Sequence, residues 1–146
     1  MIEIGNLKAD FQLVSTRVVK FELETKKEES DEIEVELKCD YDIEEIEENN
    51  EIYIGAVQFK AAFEGKKKNK KLFKIHIVYE GCFAGKKEKL GLEDFKNMLE
   101  LNGIITLTHL TRSYIMSCTA LAGFNPPLRL PLINVHKLRE MKHKTM

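Results

Sequence analysis

The sequence predicts an α+β fold, with an antiparallel sheet in the first half and helices after it. Apolar and polar residues alternate with a period of two before residue 80, whereas apolar residues after residue 100 recur at steps of three and four. The 146 residues suit one domain, which we place at 1–146, with frayed ends at 1–5 and 142–146.

The alternation is unbroken over 32–43, which predicts a strand with one buried and one wet face. Its inward residues are Ile33, Val35, Leu37, Cys39, Tyr41 and Ile43. An earlier strand at 11–23 alternates less cleanly. Its predicted inward residues are Phe11, Leu13, Val19, Phe21 and Leu23. Ser15 and Arg17 interrupt that face, as expected near a sheet edge or an interface.

Two further strands complete the predicted sheet. Over 51–63 the apolar phase changes in the middle, so we expect a β-bulge near Gly55 and Ala56. The fourth strand points its apolar residues to one face, with Lys74 and His76 on the other. The polar stretch 64–71 has hairpin length, and we expect the four strands in meander order.

The second half of the chain predicts helices. Residues 92–101 form a short helix, and Asn102-Gly103 predicts a break, because glycine costs about 1 kcal/mol inside a helix. The main helix spans 104–122 and ends at Gly123, before Pro126 and Pro127. Its apolar stripe is Leu107, Leu110, Tyr114, Cys118 and Leu121. Asn134 is placed to cap a final short helix.

Charge is unevenly distributed along the chain. Residues 1–100 hold 17 basic and 23 acidic side chains, whereas residues 101–146 hold 6 and 1. The side of the main helix opposite its stripe carries no formal charge. It presents Thr106, Thr108, His109, Thr111, Ser113, Ser117 and Thr119. This composition favours contact on more than one face, including contact with another subunit. The alternative is a central helix wrapped by its own chain.

Composition excludes several classes of protein. There is no basic excess for nucleic-acid binding, and no apolar run approaches the roughly 18 residues of a membrane span. The start of the chain lacks the pattern of a signal peptide. Cys39, Cys82 and Cys118 are far apart, which favours buried thiols in a reducing cytoplasm over disulfides or a zinc site.

Catalysis is not indicated by the sequence. A Cys–His nucleophile pair would need Cys82 with His76 or Cys118 with His109. His76 falls on the outward face of its strand and Cys118 on the helical stripe, so both pairs are disfavoured. No spacing matches a calcium, zinc or phosphate site. We therefore expect no enzyme, no cofactor and no bound metal.

Large apolar residues remain on both flanks of the main helix. They are Phe83, Leu90, Leu92, Phe95, Met98, Leu99, Phe124, Pro126, Leu128, Leu130 and Leu132. Such residues either fill the core or line a groove for an apolar partner.

Several of these stretches together are similar to one protein family. They include Phe11-Gln12-Leu13, Tyr79-Glu80-Gly81-Cys82-Phe83, Asn102-Gly103, Ala122-Gly123-Phe124 and Pro127-Leu128-Arg129-Leu130-Pro131-Leu132-Ile133-Asn134. In this order, over residues 6–141, the chain resembles SecB, the tetrameric cytosolic export chaperone, and its SecB-like relatives.

The resemblance implies a four-stranded antiparallel sheet, a crossover loop, one long helix and a short C-terminal helix. It implies a homotetramer, a dimer of dimers, in which Leu107, Leu110, Tyr114, Cys118 and Leu121 form the oligomer interface. It also implies an ATP-independent holdase for unfolded polypeptides, acting in protein export or as the dedicated chaperone of an antitoxin. The client-binding residues it suggests are Phe83, Leu92, Phe95, Leu99, Phe124, Leu128 and Leu130.

The chain departs from the export chaperone where that family engages the translocase motor SecA through an acidic sheet surface. Lys74 and His76 occupy the outward face here, and Val18 stands where an acidic residue is expected. Glu22 remains as a candidate translocase contact. These departures argue against coupling to SecA. The alternative to a chaperone is a non-catalytic structural or adaptor protein whose apolar segments serve only assembly.

Overall fold

The computed structural model describes residues 1–6, 8–26 and 32–145. Its strands are β1 (Phe11–Thr25), β2 (Glu34–Ile43), β3 (Glu47–Glu48), β4 (Ile52–Lys67) and β5 (Lys70–Lys86). Its helices are α1 (Leu92–Met98), α2 (Ile104–Leu121) and α3 (Val135–Lys144), after a short 3-10 turn at Ile4–Asn6. The predicted α+β class is confirmed, and α3 includes residues 142–144, which we had expected to fray.

The sheet is antiparallel with the order β1-β5-β4-β2, and the short β3 pairs with β4. The expected meander order is therefore wrong for β1, which lies beside β5 and not beside β2. The three later long strands form hairpins, and the first strand joins the far edge, as in a Greek key. The sequence between β1 and β2 has no Asn-Gly or similar pair that would close a tight hairpin.

The bulge expected at Gly55 and Ala56 does not occur in the ladder with β5, because both residues keep their register opposite Phe83 and Cys82. On the other side of β4, β2 pairs only as far as Val57 and β3 pairs from Ile54. Tyr53 and Gly55 are buried and share the inner face with Val57. A Cβ on Gly55 would lie 2.6 Å from Leu99 Cδ1. Glycine thus marks a close approach of a helical side chain to the sheet, and Ile54 belongs to the outer face.

Strand β1 contains the irregularities that β4 lacks. Its register against β5 shifts between Leu13 and Ser15 and again between Val18 and Lys20. Two bulges reverse the alternation twice, so Val19 leaves the inward phase that the sequence predicted and is exposed. Leu13 stays opposite the buried Phe83, on the predicted inward face, but is 44% exposed. Val18 packs against the core instead of facing outward.

Both central strands extend further than the sequence indicated. The β4–β5 turn is tight, with Lys68 at φ 50° and Asn69 at φ 66°, the two positive values of a type I′ turn. Strand β5 also continues past Gly81 to Lys86. A Cβ on Gly85 would lie 2.6 Å from Phe95 Cδ1, so the glycines of β5 again make room for the helical layer.

The fully buried face of α2 shares only Leu107 with the predicted stripe. Its buried residues are Ile104, Leu107, Thr108, Thr111, Ile115 and Thr119. Thr108 and Thr119 donate their hydroxyls to the carbonyls of Ile105 and Ile115, both at 2.7 Å. Because these two hydroxyls are satisfied within the helix, Thr108 and Thr119 can occupy core positions, whereas the buried hydroxyl of Thr111 has no partner among the described residues.

The helix boundaries follow local sequence. Helices α1 and α2 are joined by a π-helical turn at Leu99–Gly103, where we had expected a break. Gly123 has φ 94°, and the amide of Phe124 donates to Thr119 O at 2.9 Å, as in a Schellman motif. Asn134 caps α3 as predicted, accepting from the amide of Lys137 at 3.1 Å.

Helix α3 is fastened to the sheet mainly through charged groups. Lys142 Nζ contacts Asp40 Oδ1 at 2.8 Å, and Arg139 reaches Glu100 Oε2 at 3.4 Å. Glu100 also accepts from the hydroxyl of Tyr41 at 2.6 Å and from His143. Burial alone would raise the pKa of Glu100, but these hydrogen bonds and the Arg139 charge outweigh it and hold the pKa below its ordinary value.

A Glu100→Gln variant is expected to lose about 1–3 kcal/mol of unfolding free energy at pH 6–7. A depressed folded-state pKa contributes stability above the unfolded value near 4.5, and this stability is lost as the pH falls through the folded pKa. The gap between wild type and variant should therefore narrow as the pH falls below about 4.5, the unfolded value. Urea unfolding at each pH measures it. Glu93→Gln, on an exposed carboxylate, is the control, and a gap independent of pH would contradict the assignment.

Candidate functional site

One open apolar cavity lies at the end of the sheet that carries the β4–β5 turn. We call it the tip groove, and its volume is about 1070 Å³. Its lining residues are Thr25, Lys26, Ile33, Val35, Leu72, Phe73 and the loop 122–129 that follows α2. The groove thus lies between the inner face of three strands and one loop.

The wall formed by the loop is fixed by specific contacts. Thr119 Oγ1 accepts from the amide of Leu128 at 2.9 Å, which ties the loop back to α2. Phe124 packs edge-on against Phe73, with 5.0 Å between ring centroids. Leu130 is fully buried just beyond the loop. The groove is therefore held open by packing and hydrogen bonding within the chain.

The opposite wall is formed by exposed apolar side chains at the beginning of β2. Ile33 and Val35 are 39% and 46% exposed although they lie on the inner face of the sheet. Among the described residues that line the groove, only Lys26 and Arg129 carry a charge, and both are exposed at its rim. Such a surface suits large apolar side chains.

Two of the seven predicted client-binding residues, Phe124 and Leu128, line the tip groove. Leu92 is 40% exposed but belongs to α1, outside this cavity. The other four are almost completely buried, so they fill the core where the sequence suggested a groove. They are Phe83, Phe95, Leu99 and Leu130.

Sequence reasoning missed Ile33, Val35 and Phe73 as groove residues. Their inward orientation was predicted for both strands, but an inward residue is normally covered. Helix α3 spans about 15 Å, a small part of the sheet's length, and it meets β2 only around Tyr41. No described residue of α3 therefore covers the beginning of β2. No local pattern shows where α3 docks.

The predicted oligomer interface divides between core and surface. Leu107 is fully buried under α2, and Tyr114 packs edge-on against Phe21 and Tyr79 of the chain's own sheet. Leu110 and Cys118 are half-buried, and only Leu121 is largely exposed, at 90%. The stripe therefore packs mostly within the chain.

Glu22 lies on the outer face of β1, away from the tip groove. It sits opposite His76 in the register, and its carboxylate is 3.4 Å from Lys20 Nζ. The position expected to be acidic, Val18, faces the helical layer because of the bulge. The outer face around Glu22 is therefore of mixed charge.

Two of the three cysteines have thiols of raised pKa. Burial raises the pKa of Cys39 and Cys82, which disfavours the reactive thiolate. All three cysteines are free thiols. Among the described residues no group of three or more His, Cys, Asp or Glu side chains is placed to hold a metal ion.

The described helices are too short or too polar for any of them to cross a bilayer. Together, the single antiparallel sheet, the helical layer on one face and the preformed groove define an α+β protein with an open groove at one end of its sheet. No protein-family model and no curated protein matches the sequence.

Solved structures do match it. The Mycobacterium tuberculosis SecB-like chaperone Rv1957, in complex with a ChAD peptide from the Rv1956 HigA1 antitoxin, aligns with a TM-score of 0.65 at 13% identity. The alignment covers 88% of this chain and 94% of that one. A Streptococcus agalactiae protein of unknown function aligns at a TM-score of 0.44 and 9% identity, covering 83% and 96%. The chain has a SecB-like fold.

Proposed function

We propose that this protein is an ATP-independent chaperone, a holdase that binds non-native polypeptides in the tip groove. The open, preformed apolar groove carries the proposal, because soluble proteins rarely leave such surface uncovered without a partner. The likeness to a SecB-like chaperone that holds an antitoxin peptide supports the same class of ligand. No catalytic chemistry is part of this function.

A dedicated antitoxin-like client is favoured over a general export role. The M. tuberculosis protein in the matching structure is bound to a peptide from an antitoxin. The outer sheet face around Glu22 also lacks the acidic character expected for contact with SecA, since Lys20, Lys74 and His76 surround that carboxylate in the register. We place the protein in the cytoplasm, where its free thiols would stay reduced.

The test of chaperone function is suppression of aggregation. We expect the protein, without nucleotide, to bind reduced carboxymethylated α-lactalbumin and to slow the aggregation of insulin on reduction. Fluorescence titration and light scattering measure the two effects. A protein that does neither, while folded by circular dichroism, would contradict the general holdase function and favour the assembly or adaptor alternative.

We also propose that the protein assembles as a homotetramer, a dimer of dimers. Helix α2 has one formally charged residue, Arg112, whose buried Nε has no partner among the described residues. Ile105 and Leu121, on the same helix, are 38% and 90% exposed. Ile105 lies on the same side of α2 as Arg112, so a second copy there would cover it and supply an acceptor for the guanidinium. Leu121 lies on the opposite side of the helix, where a dimer of dimers would place a further copy.

Assembly predicts a solution mass of four times the 16.9 kDa chain. Leu121→Glu should lower this mass, because it places a charge on the exposed end of α2. Met141→Glu, at an exposed position on α3, is the matched control and should not. Multi-angle light scattering gives the mass. If the Leu121→Glu variant keeps the mass of a tetramer, this part of α2 does not belong to the interface.

A further inference from the structure

Strand β2 forms one edge of the sheet, and no described strand pairs with its outer side. An edge strand presents unpaired backbone N–H and C=O groups, which can accept another extended chain. Which residues present them follows from the alternation of an antiparallel ladder. The amide of Glu44 donates to Ala56 O at 2.9 Å, so the even-numbered residues of β2 bond to β4.

The odd-numbered residues of β2 therefore point their backbone groups away from β4. One contact agrees with this assignment: the amide of Tyr41 donates to the Asp40 side chain at 2.8 Å instead of to β4. The open groups are those of Val35, Leu37 and Cys39. Their side chains lie on the inner face of the sheet, with Val35 lining the tip groove.

The edge is protected at one end only. Lys142 reaches from α3 to Asp40 and Asp42, at 2.8 and 3.5 Å, and its Nζ lies 5.5 Å from the Tyr41 ring centroid. Toward residue 35 no described residue of α3 contacts the strand. The uncovered half of the edge is thus the half that borders the groove.

We propose that the bound polypeptide pairs with this open half of β2 as an added strand, a mode that rests on the proposed chaperone function. Alternate side chains of the added strand would enter the tip groove beside Val35 and Phe73. Main-chain hydrogen bonds would supply affinity without regard to side-chain identity, while the groove selects large apolar residues at every second position.

Charge on the outer face defines the other half of the client's pattern. Glu34 is exposed and has no ion-pair partner among the described residues, whereas the neighbouring Glu36 pairs with Lys66 at 3.2 Å. A client residue that points outward next to Glu34 meets an uncompensated carboxylate. The expected client is therefore an extended segment that alternates apolar residues with polar ones, with a Lys or Arg among the polar positions.

The test uses a synthetic nine-residue peptide in which Leu or Val alternates with Lys or Thr. Two versions carry N-methyl groups on alternate amides. In one version the methylated amides point to one edge of the extended peptide, and in the other version to the opposite edge. A shift of register by one residue would turn the apolar side chains outward, so a paired strand keeps a single register parity. We expect one methylated set to bind at least about tenfold more weakly than the other.

A protein variant tests the same contact from the other side. Val35→Pro removes an amide that faces the open edge and leaves the β4 ladder intact, as tolerated on edge strands. It should weaken peptide binding about tenfold relative to Val35→Ala, which removes side chain alone. Equal affinity of the two methylated sets, or of the two variants, overturns the strand pairing. If the wild-type protein does not bind reduced carboxymethylated α-lactalbumin, the proposed chaperone function itself is overturned.

Discussion

Phe95→Ala is expected to lower the free energy of unfolding by about 3–5 kcal/mol, a large part of the 5–15 kcal/mol typical of a domain. Phe95 is fully buried, and its ring lies 5.7 Å from Phe11 and 5.4 Å from Tyr53 between centroids. Gly55 and Gly85 leave the space that the ring occupies. Truncation would leave a cavity that the flat strand backbones cannot fill by collapsing.

Leu92→Ala is the matched control, because Leu92 lies on the same helix and was equally a predicted client-binding residue. It is 40% exposed, so its truncation should cost less than about 1 kcal/mol. Urea unfolding followed by circular dichroism measures both variants. If the Phe95→Ala protein is as stable as the wild type but no longer binds clients, Phe95 is a client-binding residue and not a core residue.

The parts of the fold that depend on local pattern could be predicted from the sequence. The alternation of β2 needs only neighbouring residues, and so does the end of α2 at Gly123, where a positive φ favours glycine. The cap at Asn134 is likewise set by the amide three residues later. In each case the residue type and the geometry it stabilises lie within one turn of the chain.

The errors have a common cause in contacts between distant residues. A bulge was predicted near Gly55 because Ile52 and Ile54 are out of phase with Val57, yet the inner face simply continues through Gly55, where Leu99 occupies the space a side chain would take. Thr111 and Thr119 lie on the side of α2 where the sequence favoured contact with another subunit, yet both are completely buried within the chain itself. The sequence shows which residues are polar and which are apolar. It does not show which distant residues pack over them and so decide which side is buried.

The groove is the clearest case of such a long-range effect. Phe124 and Leu128 could be selected from the sequence because an apolar loop after a helix is unusual. Ile33 and Val35 could not, since their exposure depends on where α3 ends its contact with β2. That position is set by the pair of Lys142 with Asp40, which are 102 residues apart in the chain.

The same geometry separates stability from binding. Core residues such as Phe95 pack against the inner face of the sheet at Gly55 and Gly85 and stabilise the fold. The groove residues, in contrast, contact few neighbours on their open side. A substitution in the groove can therefore remove ligand binding without unfolding the chain. This separation makes the proposed function testable with single variants.

Val35→Asp is expected to weaken binding of reduced carboxymethylated α-lactalbumin by about tenfold to a hundredfold. Burying a valine side chain against a ligand contributes about 1.5–3 kcal/mol, and 1.4 kcal/mol corresponds to a factor of ten. The aspartate also brings a carboxylate into an apolar groove, where it would have to be desolvated on binding. Because Val35 is 46% exposed in the unbound chain, folding stability should change much less.

Ile43→Asp is the control with the most closely matched surroundings. Ile43 lies on the same strand and, by the alternation, on the same face, at 36% exposure, but it does not line the tip groove. Fluorescence titration measures binding by both variants, and unfolding curves show that each is folded. The comparison separates the effect of a charge in the tip groove from the effect of a charge elsewhere on β2. If the two variants bind equally well, the client does not enter the tip groove. If only Val35→Asp fails to bind, the groove between β2 and the loop after α2 is where non-native chains are held.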